Sequence, residues 1–150
     1  MDELGAEMWA DQQFSDAQSY LTQRDIRTTG ILTLAWLAAP YLVLWTARST
    51  TEGLLPVWVV SGHVPTDYVL EKAIQTPREA IRVLGERWKN IADHPDSDDA
   101  IRTLDFEMPP EGPRREEARK KLDRFARTLL GVAEDDSLWK TAEADSTEPE

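Results

Sequence analysis

Between Trp36 and Tyr68 the chain reads WLAAPYLVLWTARSTTEGLLPVWVVSGHVPTDY, and this stretch constrains the fold more than any other. Two runs of apolar, β-branched and aromatic residues, Tyr41 to Ala47 and Val57 to Val60, are separated by the Thr, Glu, Gly and Pro residues that bound strands. The link from Arg48 to Pro56 is shorter than the roughly dozen residues a parallel crossover requires, so the two strands pair antiparallel. Neither run alternates cleanly with polar residues, which predicts that both faces of the sheet are covered.

The same region tests a second architecture. Twenty residues from Thr28 to Ala47 carry no charge, a length sufficient for a membrane-crossing helix. Pro40 in its middle, Gly30, and the β-favouring residues after the proline oppose that helix. Arg27 and Arg48 flank the run symmetrically and give it no orientation. A buried helix-turn-strand unit is the simpler solution. Ile31 to Ala39 reads equally as a short buried helix or a strand.

Helices follow from spacing. Ala10, Phe14, Ala17 and Leu21 form a stripe that predicts a helix over 4–23, with Trp9 and Tyr20 at its rim. Thr76-Pro77-Arg78-Glu79 combines a capping Thr, Pro at the first helical position and Glu three residues after the cap. That signature opens a helix over 77–92 with Ile81, Leu84, Trp88, Ile91 and Ala92 inward. A third helix over 115–130 buries Ala118, Leu122, Phe125, Ala126 and Leu129, with Gly131 as its stop. Thr66 or Asp67 is placed to cap a short helical segment through Ala73, and Ser97 to Leu104 reads as another short helix. Met108 to Pro113 is a linker, and Leu138 and Trp139 pack a final turn back onto the body. The fold class is α+β: a small antiparallel sheet covered by three main helices, one domain over 1–133 with an acidic tail over 134–150.

The net charge of −11 suggests a polyanion mimic until the charges are located. Residues 1–11 carry −4 and residues 134–150 carry seven acids against Lys140 for −6, which leaves −11 + 10 = −1 for the body. The ends are acidic and the middle is neutral. With no cysteine, disulfides, thiolate chemistry and Cys-ligated metals are excluded. The acidic N-terminal residues lack a basic region before an apolar one, which points to a cytoplasmic protein.

Trp36-x-x-x-Pro40, the strand Leu42-Val43-Leu44-Trp45 and the run Trp58-Val59-Val60-Ser61-Gly62-His63-Val64-Pro65-Thr66-Asp67-Tyr68 together resemble a small bacterial family known as a domain of unknown function. That family has a Trp-rich strand, a Ser-Gly-Asp-Leu-Pro-Thr-Asp-Tyr-like motif, and a helix opening near a Pro-Arg pair, here Pro77-Arg78. The likeness spans about residues 9–92. The chain departs from it at His63, where the family has Asp, and at Val64, where it has Leu. The resemblance implies a soluble bacterial α+β domain and no particular chemistry.

Chemistry-bearing residues are sparse. Ser61, His63 and Asp67 supply the residue types of a nucleophilic triad, but positions two and four apart in one turn seldom give a base aimed at a nucleophile beside an oxyanion hole. Asp67 is better read as a turn or cap residue. Its functional alternative is a carboxylate at the mouth of a cleft lined by Trp36, Trp45 and Trp58, with His63 and Tyr68 as partners for a ligand. His63 and His94 lack metal-binding spacing, so neither a metal nor a cofactor is expected.

In the last helix Arg114, Arg115, Arg119, Lys120, Lys121, Arg124 and Arg127 face only Glu116, Glu117 and Asp123, a local +4. The acidic ends oppose nucleic acid and membrane as partners, and the simpler interpretation is a solvated face partly neutralised by the tail. The sequence therefore points to a non-catalytic interaction protein of inhibitor, immunity or adaptor type that binds another protein. Its contacts would use the Gly62 to Tyr68 turn or the basic face Arg115, Arg119, Lys120, Arg124 and Arg127. The alternative is a small-molecule binder or small enzyme with a Trp-lined cleft.

Overall fold

The structure is a computed structural model that describes residues 3–24, 26–28, 32–38, 42–50, 55–94, 104, 106–107, 109 and 111–139. Its elements are α1 (Glu3–Gln23), β1 (Thr33–Ala38), β2 (Leu42–Ser49), β3 (Leu55–Gly62), β4 (Asp67–Leu70), α2 (Pro77–Asp93) and α3 (Pro113–Glu134). The strands form one antiparallel sheet in the order β1-β2-β3-β4, each beside its neighbour in sequence. The expected central pair is present. β2 and β3 run in unbroken register from Leu42↔Gly62 to Ser49↔Leu55.

Both faces of the sheet are covered, by different elements. Val43, Trp45, Val57 and Val59 point towards α1 and pack with Ala17, Tyr20 and Leu21. Leu42, Leu44, Trp58, Val60 and Val69 point the other way, into a larger core with Ile81, Leu84, Trp88, Leu122, Ala126 and Leu129 of α2 and α3. Strand side chains alternate between faces, so one apolar run serves two cores, and this is why the strands show no polar alternation.

The structure resolves or corrects three local expectations. The ambiguous segment before Pro40 is strand β1, which carries a register shift between Leu34 and Trp36. The extra residue brings Ala35 and Trp36 both against the larger core. The short helix expected after Asp67 is instead β4, because Tyr68, Val69 and Leu70 gain an edge of β3 to pair with. Helix α3 also does not stop at Gly131. It continues to Glu134, and Asp135 forms its C-cap.

One further turn of helix, residues 136–139, returns Trp139 to the core at 3% exposed. Its indole stacks on Trp36 with ring centroids 4.7 Å apart and donates to the Val132 carbonyl at 2.8 Å. Most of the Ser97 to Leu104 segment lies outside the described residues, as does the chain beyond Trp139. Among the described residues no helix is long and apolar enough to cross a membrane.

α2 begins as its sequence predicts. Thr76 caps it, its hydroxyl accepting from the Glu79 backbone N–H at 3.2 Å. α2 and α3 then pack as an antiparallel hairpin: Arg78 donates to the Ala133 carbonyl at 2.6 Å at one end, and Arg119 reaches the Ala92 carbonyl at 3.5 Å at the other.

The α1 side of the sheet carries a local imperfection. Ser61 is 1% exposed and Trp45 is 5% exposed, and neither the Ser61 hydroxyl nor the Trp45 indole N–H has a partner among the described residues. An unpaired buried hydroxyl costs about 1–3 kcal/mol. Ser61→Ala is therefore expected to leave stability unchanged or raise it by up to about 1 kcal/mol. A urea midpoint lowered by this substitution would show that the hydroxyl has a partner after all.

Candidate functional site

Asp67 opens β4 opposite Val60, and that register points its side chain into the larger core. The residue is wholly buried. One carboxylate oxygen accepts from the Trp88 indole N–H at 2.8 Å and lies 3.5 Å from the Arg87 guanidinium, while the other accepts from the Tyr68 backbone N–H at 2.8 Å. Arg87 also donates to the Tyr68 carbonyl at 2.8 Å. The group works as a buried strap from β4 to α2. A buried carboxylate needs such donors, and a buried indole needs an acceptor. Trp88 already stood on the predicted inner stripe of its helix, so its need for an acceptor was the one sequence signal that could have linked it to Asp67. Arg87 gave no such signal.

The other proposed cleft residues do not gather around Asp67. Its neighbour Tyr68 points to the α1 side, where its ring meets Tyr20 edge-on at 6.1 Å. His63 is exposed in the turn between β3 and β4. Trp45 packs against Phe14 on the α1 side with ring centroids 5.5 Å apart. Trp58 lies on the opposite face and donates to the Ile74 carbonyl at 3.3 Å, and Trp36 stacks on Trp139. A concavity of about 430 Å³ does use Trp58, with Thr33, Thr46 and Arg48, but it lies at the end of the β2–β3 hairpin remote from Ser61 to Tyr68. Among the described residues no group of three His, Asp or Glu side chains is placed to hold a metal.

The outward side of α3 is a different kind of surface. Leu122, Ala126, Leu129 and Ala133 are buried, and Arg114, Glu117, Lys120, Lys121, Arg124 and Arg127 are exposed on the other side. Of the proposed basic residues, Arg115 and Arg119 are half-buried and the other three exposed. Several acids nearby are already engaged. Glu116 is gripped by Arg119 through bonds of 2.8 and 3.1 Å. Asp123 lies between Lys89 of α2 at 3.0 Å and Arg127 at 2.8 Å. Lys121 lies 5.9 Å from the centre of the Phe125 ring.

These contacts set the local proton affinities. Bonding to Arg119 lowers the Glu116 pKa against a smaller opposing effect of desolvation. The Lys89 ammonium lowers that of Asp123, with Arg127 adding to the effect and desolvation opposing it. A carboxylate whose pKa is lowered by folding stabilises the fold fully above its unfolded value, near 3.9, and that contribution is lost as pH falls through the folded value. Acid should therefore loosen the α2–α3 seam below about pH 4. Asp123→Asn should flatten this acid limb in a series of thermal melts; an unchanged limb would remove Asp123 as its cause.

A four-stranded antiparallel meander between one helix and a helical hairpin, with a buried carboxylate strap and a cationic outer face, defines an α+β domain. The chain belongs to the family described as Domain of unknown function (DUF4826), whose family model matches residues 3–139. That match ends at Trp139, the residue that closes the larger core. No curated protein and no solved structure matches the chain.

Proposed function

We propose that this chain is a non-catalytic protein-interaction module that docks an acidic segment of a partner protein on the outward face of α3. The observation that carries this reading is the imbalance of that face: Lys120, Lys121 and Arg124 are exposed, while Glu116 and Asp123 are held by Arg119, Lys89 and Arg127. Opposed charges across an interface steer association and fix register. The dispersal of Ser61 and Asp67 over opposite faces of the sheet, with His63 in an exposed turn, supports a non-catalytic reading. A small-molecule role for the Trp58 concavity has less support, because no charged side chain is buried in its lining.

The test uses the two lysines as reporters. Wild type and a Lys120→Glu/Arg124→Glu variant are treated in native lysate with a carbodiimide, which joins an amine to a carboxylate only in direct contact. The expected result is a partner joined through Lys120 or Lys121 to its Asp or Glu residues, and absent with the variant. Equal capture by the variant, or linkage only at other lysines, would refute the reading.

A further inference from the structure

We infer that the acidic segment docked on α3 carries a bulky apolar residue, which seats in a concavity on the flank of that helix. The inference rests on the function proposed above and names the chemistry of the partner. The concavity, of about 530 Å³, lies between the first half of α3 and the chain at Phe106, Glu107 and Pro109. Three observations support an apolar occupant, beginning with the wall. Phe106, Pro109 and Ala118 line the concavity, and Phe106 is packed on the larger core and held edge-on to Phe125 with ring centroids 6.5 Å apart. The wall is therefore formed before any ligand arrives, as in most binding pockets.

The second observation is charge. Arg114 and Lys121 complete the lining together with Glu107 and Glu117, two of each sign. Such a lining has no net charge and gives an acidic side chain no preference, so the apolar wall decides what enters. A carboxylate placed there would lose water without gaining a dedicated cation.

The third is position. Lys121 belongs both to the concavity and to the exposed basic face, three residues from Arg124 and so its neighbour on the helix. From Ala118 to Arg124 is six residues of α3, about 9 Å along its axis. About three residues of extended chain cover that distance. Acids two or three positions from the apolar residue therefore reach Lys121 or Arg124 while that residue fills the concavity. Exposed ion pairs are individually weak and screened by salt. A seated apolar anchor supplies the affinity they lack, because a few desolvated residues carry most of the energy of an interface.

The test compares two fluorescein-labelled peptides, Glu-Glu-Gly-Phe-Gly-Glu-Glu and the same peptide with Gly in place of Phe, by anisotropy at low salt. The full chain should bind the Phe peptide about tenfold more tightly. Equal binding of the two would overturn the anchor and leave the docking face intact. The same pair locates the anchor by nuclear magnetic resonance: the Phe peptide, and not its Gly counterpart, should shift the amide signals of Phe106, Glu107 and Ala118. Differences confined to other residues would overturn the inference. Ala118→Phe, which fills the concavity from within, should bind the two peptides alike once circular dichroism shows it folded, and a retained tenfold preference would place the anchor elsewhere and overturn the inference. If neither peptide binds the wild type, or if Lys120→Glu/Arg124→Glu binds both as well as the wild type does, the docking face itself is refuted.

Discussion

Asp67→Ala should lower the free energy of unfolding by about 2–4 kcal/mol, seen as a lower urea midpoint with unchanged slope. The substitution removes an acceptor from two donors at once. Trp88, 0% exposed, loses its 2.8 Å partner, and the Tyr68 N–H loses another at the same distance. Arg87 is less affected, since its side chain is 31% exposed and it still donates to the Tyr68 carbonyl. Asp67→Asn retains one acceptor oxygen, so one of the two donors stays paired, and it should cost less than Asp67→Ala. The near-ultraviolet dichroism of the indoles should change with Ala and not with Asn. If Asp67→Ala folded with wild-type stability, the carboxylate would not be a strap, and a role in binding would have to be considered in its place.

The second large effect is a contrast between two glycines of one helical hairpin. A Cβ built on Gly85 would lie 3.0 Å from the Leu130 side chain and 3.1 Å from Leu129 Cβ, and the latter moves only with the α3 backbone. Gly85→Ala must therefore push α2 and α3 apart, at an expected cost of about 1–3 kcal/mol. A Cβ at Gly131 meets nothing within 4 Å. Gly131 lies inside α3 on its exposed side, where Gly→Ala should stabilise by about 0.5–1 kcal/mol. Opposite shifts in melting temperature are the expected result. Shifts of the same sign would contradict the close approach at Gly85.

Much of the fold is visible in the sequence. The Thr76-Pro77-x-Glu79 cap, the stripe of α2 and the antiparallel pairing of the two apolar runs all appear where their residues place them. These signals are local, because each is set by residues within one turn of helix or one strand. β4 is less visible: its four residues become a strand because β3 offers them an edge, and in isolation Pro-Thr-Asp favours a turn or cap. Gly131 misleads for a related reason, since the packing of Ala133 and the return of Trp139 hold α3 together past a residue that would end an isolated helix.

The site is harder to read. Trp45 pairs with Val59 and Trp58 with Thr46, so the two indoles occupy adjacent rungs of the ladder and point to opposite faces. Neither strand contains that information by itself. A register one residue different would have put both rings on one face, and register is set by the length of the connection between the strands. Three tryptophans close in sequence therefore suggest a common cleft, while their pairing distributes them between two cores.

The strand order also bears on how the chain folds. Every strand pairs with its immediate neighbour, and the two packed helices are consecutive as well. Closing each β-hairpin requires only a short loop, so the entropy lost before sheet contacts form is small, and the sheet should form faster than sheets that join distant segments. During synthesis, the sheet and its first cover α1 are complete before α2 begins. Until the helical hairpin arrives, the face carrying Leu42, Leu44, Trp58, Val60 and Val69 is exposed to water, and that interval is when a nascent chain of this topology is most prone to aggregate.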